Sequence, residues 1–150
     1  MNEILLGEGL NDLKFGMTQD EVKAILNEPT EVETDSEEGI DVVTMHYDNE
    51  ELSLVFDGSL DLKLVSIASS NDALVLKERK IIGLAEGDLI SSLDSMGFDD
   101  VSDEHFEADS DSENMYTSDE FGINFFIDNG EVSEVIWYPD FNEEGDVIWP

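Results

Sequence analysis

The sequence lacks cysteine altogether, and it lacks lysine and arginine from residue 81 onward. Without cysteine there are no disulfides, no thiolate metal sites and no cysteine nucleophile. The formal charge is −13 over residues 1–80 and −20 over residues 81–150, which gives −33 for the whole chain. Two like charges about 7 Å apart in water repel by roughly 0.6 kcal/mol, so this acidity opposes compaction. The acidity therefore needs an explanation other than stability, such as a basic partner, bound cations or a salty environment.

Long apolar runs are also missing. No run approaches the roughly 20 residues that cross a bilayer, and residues 1–7 lack the basic start and apolar core of a signal peptide. An anionic surface is repelled by anionic lipids and by the phosphates of nucleic acids. We therefore expect a cytoplasmic protein that binds neither nucleic acid nor membranes and that is a monomer when free.

Apolar and aromatic residues, by contrast, are abundant enough for a folded core. Hydrophobic residues make up 40% of the chain, and eight Phe, three Tyr and two Trp are among them. That content is too high for a disordered acidic tail. A chain of 150 residues fits one domain of ordinary size or two small modules that share a core.

The first half predicts one helix and three strands. Thr18 is a candidate N-cap with Glu21 as its capping-box partner, and Pro29 ends the helix. An acidic stretch over residues 31–39 is typical of a loop. The strand-like runs that follow span residues 42–47, 52–56 and 62–68.

The second half repeats this plan after roughly 67–70 residues. A helix is predicted over residues 86–96, with Gly97 just beyond its C-terminus. Three strands over residues 115–118, 121–127 and 132–138 follow an acidic loop. We predict an α+β fold in which two tandem modules, each a helix plus a three-stranded antiparallel meander, form one sheet-based concave body. The modules are residues 1–75 and 76–150, and both can belong to one joint domain.

The run from Leu13 to Pro29 carries a resemblance to a known family. It reads LKFGMTQDEVKAILNEP, and it resembles the opening of SmpA/BamE-like modules, with their Gly-Met-Thr start, acidic-Val helix and Pro stop. The resemblance implies a short helical layer followed by a three-stranded meander. A tandem pair of such modules is similar to the architecture of the β-lactamase inhibitor proteins, in which two sheets join into one concave face that grips an enzyme.

Catalytic and metal-binding patterns are weak. His46 and His105 are the two histidines, and neither lies in a sequence setting that suggests a nucleophile. We expect no enzymatic activity, no catalytic residue and no cofactor.

Two acidic segments partly match the residue spacing of a calcium-binding loop. The first has carboxylates at positions 1, 3, 5 and 12 of an EF-hand-like loop but has Asn114 in place of the glycine at position 6, and the second ends before position 12. Chance matches are common in so acidic a chain, and no metal site is predicted. The registers comprise Asp109, Asp111, Glu113 and Glu120, and then Asp140, Asn142, Glu144 and Gly145.

Acidic clusters after both predicted helices are the candidate partner-binding residues. Asp140 and Trp149 are added because aromatics beside acids are typical of interface anchors, whereas Trp137 is expected in the core. The alternative for the clusters is a pair of solvated loops. They comprise Glu31, Glu33, Asp35, Glu37 and Glu38 in the first half, and Asp99, Asp100, Asp103, Glu104, Glu107, Asp109, Asp111 and Glu113 in the second.

These observations favour a non-enzymatic acidic binding protein. The leading hypothesis is an immunity or inhibitor protein that neutralises a basic toxin or effector, with a nuclease as the favoured partner because carboxylates can occupy a basic cleft. The alternative is a salt-adapted protein of BamE-like fold with a scaffold or assembly role, in which acidity serves solvation.

Overall fold

The computed structural model describes residues 2–105 and 114–150. These residues are mostly β, with 49% of them in strands and 15% in helices. Two α-helices are present in the described residues, α1 (Gln19–Leu26) and α2 (Glu86–Ser95). A short 3₁₀ turn spans Gly58–Leu60.

An eight-stranded antiparallel sheet is the largest element of the structure. Its spatial order is β10-β11-β12-β13-β7-β6-β5-β4. Each half of the chain contributes four consecutive strands, and the two sets meet where β7 pairs with β13. These strands are β4 (Glu31–Glu37), β5 (Ile40–Tyr47), β6 (Leu52–Asp57), β7 (Lys63–Ser69), β10 (Ser102–His105), β11 (Asn114–Ser118), β12 (Ile123–Asp128) and β13 (Glu131–Trp137).

Shorter strands form two smaller sheets. The first has five strands in the order β3-β2-β1-β8-β9, and the second is the hairpin β14-β15. In the five-stranded sheet, β1 pairs in parallel with β8 across the middle of the chain, and the proposed module boundary at residues 75 and 76 lies inside β8. The strands are β1 (Asn2–Leu5), β2 (Gly9–Leu10), β3 (Leu13–Lys14), β8 (Leu74–Leu76), β9 (Arg79–Lys80), β14 (Asp140–Phe141) and β15 (Val147–Ile148).

The predicted α+β fold of two helix-plus-three-stranded modules is wrong. The described chain has three sheets of five, eight and two strands around two short helices. Two acidic segments that were expected to be loops contain strands β4 and β10. Apolar alternation could not reveal β4, because all seven of its residues are exposed. The strands of the five-stranded sheet were not predicted, because each has only two to four residues.

The helices were predicted closely. Thr18 caps α1 in a capping box, in which Thr18 Oγ1 accepts from the Glu21 backbone N–H and Glu21 Oε1 accepts from the Thr18 backbone N–H. Helix α2 has Ala85 at its N-cap and no side-chain cap. Gly97 follows it with φ +86°, a conformation that glycine adopts without strain.

The core lies between one face of the large sheet, the five-stranded sheet and the helices. Alternate residues of β5, β6, β12 and β13 are buried there, as a half-buried strand requires. Trp137 is fully buried, which confirms its predicted place. Its indole Nε1–H donates to the Gly9 carbonyl oxygen at 2.9 Å, which joins β13 to β2. A buried indole needs such a partner.

Replacement of Trp137 by Phe should lower the free energy of unfolding by about 2 kcal/mol, because a cavity forms and the Gly9 carbonyl loses its donor. Trp149→Phe is the matched control, since Trp149 is only partly buried against the core. The control should cost less than about 1 kcal/mol. Urea titration followed by far-UV circular dichroism measures both, and equal losses would contradict the assignment.

Candidate partner-binding face

The large sheet has a second face, and among residues 2–105 and 114–150 neither the helices nor the five-stranded sheet covers it. Between the buried positions, the alternate residues of β5, β6, β7, β11, β12 and β13 are partly exposed. One row of directly paired residues crosses all eight strands of this face. The row comprises Glu31, His46, Ser53, Ala68, Ile136, Asn124, Thr117 and Ser102. We call this surface the open face.

Small side chains lie on the first-half side of the middle of the open face. Ser53, Ala68 and Ser66 lie on β6 and β7, where the two halves of the sheet approach one another. Larger apolar side chains lie to one side, since Met115 pairs with Phe126 on the same face.

Carboxylates line one edge of this face. The register with β5 places Glu31, Glu33, Asp35 and Glu37 on the same side of the sheet as His46 and Thr44. The structure therefore gathers four of the predicted partner-binding residues into one row. At the opposite edge, the backbone of Glu104 pairs with Met115 of the open face.

His46 links the acidic edge to the centre. Its Nδ1 lies 2.8 Å from Ser53 Oγ, and its Nε2 lies 3.2 Å from Glu33 Oε1 without hydrogen-bond geometry. A serine, a histidine and a carboxylate thus lie in line. Acyl transfer also needs N–H donors aimed at the developing oxyanion. Ser53 lies on an interior strand between β5 and β7, where the backbone N–H groups are used in the ladders. The line orients polar side chains but lacks that backbone oxyanion hole.

A groove of about 640 Å³ opens beside the second half of the open face. Met115, Thr117 and Asn124 form its floor, and Tyr138 and Phe141 form its aromatic wall. The Tyr138 hydroxyl lies 3.4 Å from Asn124 Nδ2, and burial raises the pKa of Tyr138. Phe141 is 56% exposed, so an apolar ring is presented to solvent at this rim.

A second groove, of about 280 Å³, lies near the centre. Ser53, Ala68 and Glu134 line it together with Glu51. Burial raises the pKa of Glu134 above its ordinary value. Glu134 lies opposite Phe126 on the open face, and its side chain lines this groove.

Several predicted partner-binding residues make local contacts in the structure. Asp100 accepts hydrogen bonds from Ser118 Oγ and the Glu120 backbone N–H, both at 2.7 Å, and these bonds lower its pKa. The Asp140 carboxylate lies against Gly7, where a side chain would clash. Trp149 packs against the core, and Lys63 Nζ lies 5.4 Å from the centre of its ring.

The remaining predicted residues are scattered or undescribed. Glu38 lies in the turn between β4 and β5, Asp99 is exposed after α2, and Asp103 lies on β10 on the same side as Tyr116. Glu107, Asp109, Asp111 and Glu113 lie outside the described residues, and with them most of the first calcium register. In the second register, Asn142 Oδ1 accepts from the backbone of Glu144 and Asp146 and so forms the β14–β15 turn.

Sequence reasoning missed Phe126, Glu134, Tyr138 and the His46–Ser53 pair as members of one face. Their signal was the alternation itself. Each lies one position away from a buried strand residue, so it must point to the other side of the sheet. What the sequence did not reveal is that this other side is left uncovered.

Comparisons with protein-family models, curated proteins and solved structures find no match to this chain. The resemblance to SmpA/BamE-like modules stays a prediction. Within residues 2–105 and 114–150, no helix is long and apolar enough to span a bilayer. In the same residues, no three His, Cys, Asp or Glu side chains come together as a metal site.

A partly buried polar cluster lies beneath the second half of the open face. Glu86, in the first turn of α2, accepts hydrogen bonds from the Tyr116 hydroxyl and from Asn114 Nδ2. Burial, and then the bond to Glu86, raises the pKa of Tyr116 to about 12. The cluster fixes β11 to α2, although the two elements are 30 residues apart at this bond.

Absorbance at 295 nm during alkaline titration should show Tyr116 ionising at about pH 12. Because the pKa is raised in the folded state, the stability that Tyr116 contributes is complete below pH 10 and is lost between about pH 10 and 12. Tyr116→Phe should remove the highest ionisation step and the loss of stability in that window. Tyr138→Phe is the matched control and should leave the ionisation step at about pH 12 in place. A Tyr116 that titrates near pH 10 would contradict the cluster.

Proposed function

We propose that this chain is a non-enzymatic binding protein that holds a basic protein against the open face. The partner is a toxin or effector, a nuclease in the first place, and the chain neutralises it in the cytoplasm as an immunity or inhibitor protein. One observation carries the proposal: a partly exposed eight-stranded face with a groove rimmed by aromatic residues and a row of carboxylates at its edge.

The size of the open face supports a protein partner. Eight strands about 4.8 Å apart span about 34 Å, and six residues along a strand extend about 20 Å. The resulting area of about 700 Å² is close to the roughly 800 Å² that one partner contributes to a standard interface. A small metabolite would use only a fraction of it, as in either groove.

The chemistry of the open face supports a basic partner. Glu31, Glu33, Asp35 and Glu37 present four carboxylates in one row, and Glu134 adds another near the centre. Acidic rows of this kind steer a cationic protein to the surface and raise the association rate. Phe126, Tyr138 and Phe141 offer aromatic contact beside them, which is typical of the residues that hold an interface.

A nuclease fits this pattern best among basic toxins. Its cleft must bind the phosphate backbone, so it carries lysine and arginine side chains at phosphate spacing. Residues two apart on a strand lie about 6.8 Å apart, and the phosphates of one DNA strand are also separated by several ångströms. The row on β4 can therefore occupy part of such a cleft in place of nucleic acid.

Open-face variants test the proposal directly. Tagged protein is incubated with lysate of its own organism at low salt, and the basic protein that elutes at one salt step is produced separately. Thr44→Arg and Thr117→Arg place a cation on the open face and should weaken its affinity by about a hundredfold or more, because bulk and charge oppose the partner.

Ser91→Arg is the matched control for charge, since Ser91 lies exposed on α2. It should bind as the native chain does, and the native chain should abolish the toxic or nuclease activity at a 1:1 ratio. Equal loss in all three variants, or a captured protein with no activity to inhibit, would overturn the proposal. Circular dichroism confirms that each variant is folded.

Salt separates this function from salt adaptation. The proposal expects the chain to remain folded from about 10 mM to 1 M salt, while partner affinity falls steeply as salt rises because the charges are screened. Thermal unfolding and isothermal titration across this range measure the two effects. A chain that unfolds at low salt and captures only a mixture of cationic proteins is salt-adapted instead.

A further inference from the structure

Strand β4 forms an exposed edge of the large sheet. It pairs with β5 on one side, and it ends the strand order of the sheet on the other. All seven of its residues, from Glu31 to Glu37, are exposed. An edge of this length normally presents unpaired backbone groups that invite another strand.

The register shows which backbone groups are available. Glu38 and Gly39 form a two-residue turn with φ +53° and +82°, and Glu37 pairs with Ile40 across it. In such a hairpin the residues that flank the turn exchange both hydrogen bonds, and bonded pairs then alternate along the strands. Glu31, Glu33, Asp35 and Glu37 are therefore bonded to β5. The N–H and C=O groups of the residues between them point outward; these are Val32, Thr34 and Ser36.

The two sets of side chains point to opposite faces. Carboxylates lie on the open face at every bonded position, whereas Val32, Thr34 and Ser36 lie on the other face and carry no charge. A strand laid against this edge would thus meet a row of anions on one face and small or β-branched side chains on the other. Residues directly opposite on neighbouring strands lie within about 5.5 Å of one another.

The same charges exclude a second copy of this chain. Two β4 edges brought together would place carboxylate opposite carboxylate, which is destabilising. A strand with a lysine or arginine at alternate positions has the opposite effect, since each cation would face Glu31, Glu33, Asp35 or Glu37. Charge complementarity thus selects a basic strand from among the possible occupants of the edge.

We propose that β4 takes up an extended segment of the basic partner as a ninth strand of the large sheet. The segment bonds to the backbone of Val32, Thr34 and Ser36, and its alternate lysine or arginine side chains face the carboxylate row. This inference rests on the proposed function for the basic character of the partner, and it adds the way in which the partner is held.

Two synthetic nine-residue peptides, capped at both ends, serve as the probe. One alternates lysine with valine, and the other has the same composition with the lysines grouped at one end. Hydrogen exchange followed by NMR should show the Val32, Thr34 and Ser36 amides protected about tenfold by the alternating peptide. Glu33 and Asp35 should change little, because their amides are already bonded to β5. The grouped peptide should protect none of them. Equal protection by both peptides would overturn the proposal.

Thr34→Pro removes the central outward N–H without removing a bond to β5. It should weaken binding of the alternating peptide about tenfold, while Thr34→Ala keeps the N–H and should bind as the native chain does. If Thr34→Pro does not fold, the native chain is tested with the peptide N-methylated at alternate valines, which should likewise lose binding. Equal binding by the proline and alanine variants would overturn the proposal, because charge attraction alone would then account for the binding.

The outcome is distinguishable from that of the proposed function. If open-face variants lose the captured toxin but Thr34→Pro holds it at native affinity, the function stands and the ninth strand is wrong. If the alternating peptide pairs with β4 but lysate yields no inhibited toxin, the edge binds basic strands and the proposed function is wrong.

Discussion

The pairing of β7 with β13 is the interaction on which the rest of the structure depends. Three residue pairs join the strands, Val135 with Ser69, Ile136 with Ala68 and Trp137 with Ile67. They turn two four-stranded units into one sheet. The buried partner residues Trp137 and Ile67 then belong to a single core, and their half-buried neighbours Ile136 and Ala68 lie at the centre of the open face. Without this junction, neither the core nor the surface would be continuous.

The high charge is accommodated because the core excludes it. The buried polar and charged residues are limited, among those described, to Ser69, Ser92, Asn114 and Ser118. Some carboxylates are used locally: Asp57 caps the 3₁₀ turn and Asp100 braces the loop after β11. On β4, Glu33 contacts His46. The other carboxylates of this strand have no comparable structural role among the described residues, and the register with β5 aligns them on the open face. The acidic residues that hold local structure and those aligned on β4 are therefore different sets.

How much could be read from the sequence depended on the kind of signal. Helix α1 and the buried strands were predictable because capping by Thr18 and alternation at Leu52, Leu54 and Phe56 are local patterns. Strand β4 was not, since EVETDSE has no apolar face. The carboxylates of residues 31–37 were proposed as partner-binding, but their common direction follows from the register with β5. Phe126 and Glu134 could not be placed on the same surface without knowing that β12 and β13 leave one side uncovered.

The bond between the Trp137 indole and the Gly9 carbonyl has a consequence for synthesis on the ribosome. It joins residues that are 128 positions apart, so the contact between β2 and β13 cannot form until Trp137 has been synthesised. The first four strands of the large sheet can assemble earlier from local contacts, but their buried side has no complete cover until β13 emerges. A nascent chain would thus display its acidic edge before it acquires a finished core.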